Sequence, residues 1–470
     1  MAAELPASGL REHASSILVA TLSSAFGVAL LQVTGVLATA IAADPVTGQS
    51  GTVRLMLTVL AWVFIAIAIY VGSIVTVNTF ATIVAGRART IALMRLIGSS
   101  ARQQRRAVAR EGLFVGVLGA FAGAAVGTGF AVAAERLAVW LGWLPELAHT
   151  WADAGLTAPV VAVVLTTWLA AWIGSRRVLT VTPLQAIGGA QPLSHEELRA
   201  RPGRNAIAIT LFAVGTAILV LSMLLGLLTP LAVLLGVVGG IFSFTGVVLG
   251  AHLIMPPALR LVGRMLGRGP ASRLAAANAV RYPERASRTT IGVVIGVTLV
   301  TMFGVTVASF QLLIDEASAN EPEVYAGTEE MLASVTTVFS VLIGISALIA
   351  AVGLVNALSL SVLQRTRELG LLRALGFSRG QLRRMIVAES VQLTATAVLV
   401  GLVLGTFYGW VGAQSLLGSA RGMPGIVLPG VPWVTLGVVV VAAALLTFAA
   451  SIAPTRRATR VSPITALAVE

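Results

Sequence analysis

The amino-acid sequence predicts an all-α polytopic membrane protein, with about ten transmembrane helices arranged as two four-helix repeats joined by two linking helices. Hydrophobic residues make up 57% of the 470 residues and charged residues only 11%, whereas about a quarter of the residues of a soluble globular protein are charged. Apolar runs of about 20 residues, long enough to cross a bilayer, recur along the whole chain. An internal repeat, with an offset of 278 residues, gives the order of the helices.

The apolar runs predict ten spans. They cover residues 16–42, 55–85, 112–134, 157–175, 206–227, 230–254, 289–313, 331–363, 390–411 and 431–453. The first run ends in a sequence that could pass for a signal-peptide cleavage site, but it is too long for a signal peptide. The connections at 135–156 and 412–430 could each hold a helix or a hairpin but not a domain.

The arginines predict the orientation of these spans. All 32 basic residues are arginine, and 29 of them fall at the termini or on alternate connections; the exceptions are Arg54, Arg136 and Arg421. Because short arginine-rich loops stay in the cytoplasm, we expect both termini to be cytoplasmic, in the plasma membrane of a bacterium. The net charge of +13 follows from this topology, so we expect contacts with membrane lipid and none with nucleic acid.

The residue types that are missing from the sequence limit its chemistry. The chain has no cysteine, and its four histidines are scattered without metal-ligand spacing. A P-loop places a lysine on the nucleotide phosphates, and this chain has no lysine. We therefore expect a chain that is not an enzyme and binds no cofactor or metal, with ATP and Mg bound by a partner subunit if ATP drives it.

The internal repeat is clearest where residues 86–113 align with 364–391, with ten of 28 positions identical. Near the end of each repeat, residues 175–187 align with 455–467 at an offset of 280. The repeat predicts five regions. They are a first repeat (1–190), a cytoplasmic linker (191–205), two linking transmembrane helices (206–254), a cytoplasmic amphipathic segment (255–288) and a second repeat (289–470).

The repeat also pairs residues suited to helix packing inside the membrane. The offset of 278 places Gly123 and Gly127 on Gly401 and Gly405, and Asn78 on Asn356. Glycines spaced by four residues let helix backbones approach closely. An asparagine in the bilayer needs a hydrogen-bond partner, which is either the equivalent asparagine across a pseudo-two-fold axis or the backbone of its own helix.

Each repeat carries an arginine-rich strip between its second and third spans. Within the second strip, "RELGLLRAL" has leucines at spacing three with charges on other faces, which predicts a short amphipathic helix at the inner membrane surface. Such a helix either anchors to anionic lipid or docks a cytoplasmic protein. The candidate residues in the second strip, about 364–380, are Arg365, Arg367, Glu368, Leu369, Leu372, Arg373, Leu375 and Gly376. Those in the first strip, about 86–104, are Arg87, Arg89, Leu93, Arg95 and Gly98.

The stretch "NALSLSVLQRTRELGLLRALGFSRGQLRRMIVAES" (356–390) resembles the core signature of FtsX-like ABC transporter permeases, the MacB or type VII group. The first repeat is a weaker match, because Thr90 stands where the family has the glutamate seen at Glu368. The order of four, two and four spans is similar to that of bacitracin-resistance (BceB-type) permeases. Those permeases have a large extracellular domain between spans seven and eight, where this chain has only about residues 314–330.

The resemblance implies a permease subunit moved by cytoplasmic ABC ATPases, with the two strips as coupling helices and two ATPase copies per chain. No ionisable residue lies deep in a predicted span, which disfavours a proton-driven or sodium-driven transporter. We expect export or extraction of an amphipathic or lipidic molecule or a peptide antibiotic. The alternative is a mechanotransmitter that controls a cell-envelope enzyme without transport.

Overall fold

The structure is a computed structural model. It describes scattered positions within 17–39 and 59–77, and the ranges 93–94, 96–141, 156–176, 202–265, 283–320, 376–419 and 425–460. Most of these residues are helical, and none of those described lies in a β-strand. The predicted all-α class is therefore confirmed.

Nine helices are bounded in the described part of the chain. They are α1 (Ala20–Val33), α2 (Ala101–Trp140), α3 (Thr157–Gly174), α4 (Pro202–Leu225), α5 (Ala232–Leu249), α6 (Ala251–Met265), α7 (Pro283–Asn320), α8 (Arg379–Leu417) and α9 (Trp433–Arg460). Six of them are long and apolar enough to cross a membrane, namely α2 to α5, α7 and α8. Helix α1 and the Trp433–Leu445 part of α9 are shorter apolar helices. The protein is thus a multi-pass membrane protein.

The count of ten spans stays a prediction. The second predicted span contains helical positions between 59 and 77, whereas the eighth, at 331–363, lies outside the described residues. Helix α7 begins at Pro283, within the predicted cytoplasmic segment 255–288 and before the predicted start of the seventh span. Proline suits the first position of a helix, because the N–H that it lacks has no partner there.

Helix α6 occupies the start of that predicted amphipathic segment. Its buried residues Met255, Leu259 and Val262 share one face of the helix. Met255 and Leu259 pack with Val294 of α7 and Ala397 of α8 in a hydrophobic cluster. The apolar face of α6 therefore packs against α7 and α8.

The described residues before 191 form one compact unit. Ala20 of α1, Val115 of α2 and Ala171 of α3 are fully buried and form its core cluster. Small residues allow this close packing: a Cβ added at Gly116 of α2 would lie 3.1 Å from the Cβ of Thr167 on α3.

The described residues from 202 onward form the second compact unit, with α7 at its centre. In an apolar stretch of 18 residues, 72% of the stretch in α7 is buried inside the protein, compared with 33% of the stretch in α2. Helices α4 and α5 pack closely, since a Cβ added at Gly239 would lie 2.9 Å from the amide nitrogen of Leu219. Ser243 of α5 hydrogen-bonds to Tyr408 of α8 at 3.0 Å, which ties this helix pair to the second repeat.

Candidate coupling turns and helix interfaces

The candidate site contains two glycines, one at the equivalent position of each repeat. The backbone is left-handed at Gly98, where φ is 103°, and at Gly376, where φ is 94°. Within the described part of the chain no other residue has a positive φ. A Cβ at either position would have nothing within 4 Å, so the backbone conformation, and not crowding, favours glycine here.

In the first repeat, this glycine ends the helix that contains Leu93. The amide of Ser99 donates to the carbonyl oxygen of Met94 at 2.9 Å, and the amide of Ile97 donates to that of Leu93 at 3.2 Å. A bond from the residue after a left-handed glycine back to the last helical turn is a Schellman helix ending. The chain therefore leaves the strip helix at Gly98 and takes a new direction.

A new helix begins three residues after each glycine, behind a capping serine, with the same hydrogen bonds in both repeats. The amides of Ser100 and Ser378 donate to the side-chain oxygens of Gln103 and Gln381, both at 2.9 Å. In return, the backbone N–H groups of these glutamines donate to the serine hydroxyl oxygens, both at 3.2 Å. This capping box satisfies two backbone donors at the start of α2 and of α8.

The caps correct the bounds of the predicted coupling helices. The predictions of 86–104 and 364–380 run past the glycines, whereas residues 101–104 begin α2 and residues 379–380 begin α8. The physical reason is that the capping serine starts a new helix after each glycine. In the first repeat, the left-handed Gly98 also ends the helix before it.

Leu93 is the predicted site residue before the turns that the structure describes. Leu93 is half exposed, beside the exposed apolar side chains of Leu96 and Ile97. The remaining residues of the two strips and the two asparagines lie outside the described residues. They are Arg87, Arg89, Arg95, Arg365, Arg367, Glu368, Leu369, Leu372, Arg373, Leu375, Asn78 and Asn356.

The predicted packing glycines of the second repeat face α7. A Cβ added at Gly401 would lie 2.7 Å from the Cβ of Val297, and one at Gly405 would lie 2.5 Å from the Cβ of Thr301. One turn further, a Cβ at Gly409 would lie 2.8 Å from the Cβ of Val305. Because both residue numbers increase together, α7 and α8 pack in parallel with their backbones close.

The packing glycines of the first repeat face α1 in the same way. A Cβ added at Gly123 would lie 2.5 Å from the Cβ of Ser24, and one at Gly127 would lie 2.6 Å from the carbonyl oxygen of Ala25. The hydroxyl of Ser24 donates to the carbonyl oxygen of Ala120 at 2.8 Å. Each repeat thus packs the helix that follows its left-handed glycine, α2 or α8, in parallel on α1 or α7.

Sequence reasoning missed two features of this region. The capping serines and glutamines were among the identical repeat positions, and the pattern Ser-x-x-Gln before an apolar run is the signal that could have identified the caps. The other is a contact in the first repeat, where the guanidinium carbon of Arg105 lies 3.8 Å from the ring centroid of Trp172. Arg176 approaches the same ring at 5.5 Å.

A family model described as "FtsX-like permease C-terminal" matches the chain twice, over residues 62–183 and 340–463. Together these regions cover more than half of the chain. The chain belongs to the FtsX-like permease family. The two matches begin 278 residues apart and end 280 apart, which are the two offsets of the internal repeat. One of the two left-handed glycines, Gly98 and Gly376, lies in each matched region.

Curated relatives support the same family. The chain is 32% identical to the uncharacterized ABC transporter permease YknZ of Bacillus subtilis over 151 residues, which are 32% of this chain and 36% of YknZ. It is 29% identical over 141 residues to the macrolide export ATP-binding/permease protein MacB of Rhodopirellula baltica, which are 30% of this chain and 19% of MacB. It is also 36% identical over 92 residues to the uncharacterized ABC transporter permease MJ1507 of Methanocaldococcus jannaschii, 19% of this chain and 23% of that protein. The matches span well under two thirds of each relative.

Proposed function

We propose that this FtsX-like protein is the permease subunit of an ABC transporter, driven by a separate cytoplasmic ATPase. The observation that carries the proposal is the duplicated turn: a left-handed glycine followed by a capping box starts α2 and α8 with the same hydrogen-bond distances. Each turn follows an arginine-rich strip, in a family whose similar members include ABC transporter permeases.

The turn supports a route for mechanical coupling. A strip helix that moves with a bound ATPase pulls on the left-handed glycine, and the capped helix after it is the next rigid element. That helix lies against α1 in the first repeat and against α7 in the second, through glycines that leave little free space. Motion at the cytoplasmic surface is thereby passed to two helix pairs that span the bilayer.

We further propose that one chain binds two ATPase copies, one at each strip, with ATP and Mg bound by the ATPase. The duplicated turn supports two contacts, and the first is expected to be the weaker because Thr90 replaces a glutamate there. Quantified purification of the complex tests the number. We expect two ATPase chains per permease chain, and a ratio of two to two would contradict the proposal.

The docking surface is tested by Arg373→Ala and Glu368→Ala, alone and together. We expect the amount of copurified ATPase to fall while membrane insertion stays normal. Arg421→Ala is the matched control, because it removes one arginine on the opposite, predicted extracytoplasmic side. Unchanged ATPase binding in the double variant would contradict docking and leave lipid anchoring as the role of the strip.

The proposed cargo is an amphipathic or lipidic molecule or a peptide antibiotic, exported or extracted from the bilayer. Two observations support it: the described membrane helices expose apolar side chains along much of their length, and the similar protein MacB is named for macrolide export. The test is stimulation of ATP hydrolysis by candidate amphiphiles in the reconstituted complex. A mechanotransmitter would instead show ATP hydrolysis that responds to an envelope enzyme and to no amphiphile.

A further inference from the structure

Residues 425–432, part of the connection between α8 and α9, lie beside the helices and not beyond their ends. Residues 425–432 are not helical, and they run alongside the body of α8. The indole nitrogen of Trp410 donates to the carbonyl oxygen of Val427 at 2.9 Å, and the amide of Val427 donates to the side-chain oxygen of Gln414 at 2.7 Å. Trp410 lies seven residues before the end of α8 at Leu417, or about 10 Å along its axis.

Helix α7 provides a second, independent measure of depth. The amide of Gly430 donates to the hydroxyl oxygen of Ser309 at 2.9 Å. Two residues later, the ring of Pro432 lies 3.1 Å from where a Cβ of Gly304 would be. The first charged residue beyond Ser309 on α7 is Asp315, so these contacts lie about 9 and 16 Å below it.

The charges on α7 locate the bilayer. The stretch between Arg288 and Asp315 contains no charged residue. The apolar core of a bilayer is about 30 Å thick, which is about 20 helical residues. If that core is centred on the uncharged stretch, Gly304 and Ser309 both fall inside it.

Backbone that is not helical is tolerated at membrane depth only where its polar groups are satisfied. Here Gln414, Trp410 and Ser309 bond to four backbone atoms of the segment. The amide of Gly425 donates to the carbonyl oxygen of Gly418 at 2.9 Å. Pro429 and Pro432 have no N–H to satisfy.

The side chains of the segment divide into an inward and an outward set. Val427 is 5% exposed and packs with Ala413 and Leu417. Its neighbours Ile426 and Leu428 are 80% and 73% exposed, and Trp433 and Val434 at the start of α9 are 77% and 81% exposed. The stretch 425–434, GIVLPGVPWV, contains no charged side chain, so its outer surface is apolar throughout.

We propose that residues 425–434 form a re-entrant segment of the outer leaflet, held by Trp410, Gln414 and Ser309, whose exposed side chains contact lipid acyl chains. The partner is lipid because the segment lies at the level of the uncharged part of α7, where the surroundings of a membrane protein are hydrocarbon. Tryptophan is also enriched near the edges of the bilayer. The lipid contact goes beyond transport and does not depend on an ATPase.

Spin labelling of the full chain in liposomes tests the depth, since the natural sequence has no cysteine to remove. Leu428→Cys and Ile426→Cys carry the label, and Val441→Cys on α9 is the lipid-exposed control. Ala319→Cys, exposed at the end of α7 beyond Asp315, is the aqueous control. Collision with oxygen reports lipid, and collision with a water-soluble nickel chelate reports water. We expect both loop labels to match Val441→Cys and to lose the nickel signal seen at Ala319→Cys.

Nickel accessibility equal to that of Ala319→Cys would overturn the proposal and would leave a water-exposed patch suited to a protein partner. The anchors are tested by adding Gln414→Leu to Leu428→Cys, which keeps the side-chain size but removes both hydrogen bonds. We expect nickel accessibility at residue 428 to rise. Thr306→Val is the matched control, because it removes a hydroxyl in the same layer that bonds no residue of the loop. No rise in the Gln414→Leu variant would show that these hydrogen bonds do not hold the segment.

Discussion

The two repeats begin α2 and α8 with the same turn but bury these two helices to different extents. Of an apolar stretch of 18 residues, 56% is buried in α8 and 33% in α2. Leu382, Met385 and Ile386 at the start of α8 are almost fully buried. At the equivalent positions α2 has Gln104, Ala107 and Val108, which are half-buried or exposed. The turn is therefore set by local hydrogen bonds that do not depend on the packing around it.

The burial differs because the second repeat packs against helices that belong to its own unit. Gln392 of α8 donates to the carbonyl oxygen of Leu259 on α6 at 2.9 Å, and Ser222 of α4 lies 2.8 Å from the hydroxyl oxygen of Ser415. Among the described residues of the first unit, α2 instead shows an exposed apolar face that includes Phe121 and Val126. The two copies of a duplicated sequence can thus share the same turn while one copy packs into a larger core.

The largest effect is expected where helix backbones nearly touch. Gly405→Val places a branched side chain against Thr298 and Thr301, so we expect a loss of about 1–3 kcal/mol in the free energy of unfolding. Gly123→Val should cost a similar amount in the first repeat. Thermal unfolding in detergent measures both.

The control for this prediction is Gly437→Val on α9, where an added Cβ has nothing within 4 Å. It should change the unfolding free energy much less. If Gly123→Val were as mild as Gly437→Val, the parallel packing of α1 on α2 would not match that of α7 on α8.

The next effect concerns the left-handed glycines. Gly98→Ala and Gly376→Ala meet no steric neighbour, so the expected loss of about 1–2 kcal/mol comes from backbone conformation alone. ATPase-coupled activity should fall in both variants, since the direction of the chain at the turn changes. Activity and thermal unfolding of the reconstituted complex give the two readouts.

Gly380→Ala is the matched control, because Gly380 is the second residue of α8 and lies just after the turn. Alanine favours a helix over glycine by about 1 kcal/mol, so this variant should be neutral or more stable. Equal losses for Gly376→Ala and Gly380→Ala would contradict a special role for the turn.

A smaller effect is expected at the caps. Ser100→Ala and Ser378→Ala each remove the hydroxyl that accepts a hydrogen bond from the backbone N–H of Gln103 or Gln381. The cost should be about 1 kcal/mol in each repeat, and Ser378→Asp should restore it. Hydrogen exchange at the first turns of α2 and α8 measures the loss, and unequal protection changes would show that the two caps are not equivalent.

The smallest effect separates the repeats. Arg105→Lys weakens the contact with the ring of Trp172 by about 0.5–1 kcal/mol. The equivalent Arg383 is exposed, so Arg383→Lys should have no measurable effect. Thermal unfolding compares the stability of the two variants. Equal losses would show that the contact with Trp172 does not distinguish the two repeats.

The sequence predicts the helices and the repeat well, because apolar length and glycine spacing are local or periodic signals. It also contains the signal for the caps, in Ser100 and Ser378 with their glutamines. The level of residues 425–432 could not be predicted, because it depends on Ser309, which is 121 residues away from Gly430 along the chain. The burial of Leu382 is equally a property of the tertiary packing, since the aligned Gln104 follows the same turn.

The length of α2 has a consequence for the turn at Gly98. With 40 residues, this helix is about 60 Å long, twice the thickness of the apolar core of a bilayer. A rod of that length acts as a lever: a tilt of about 5° at the capped end displaces the far end by about 5 Å. A small rotation set at Gly98 would therefore reach the opposite side of the membrane as a shift about as large as one helical turn.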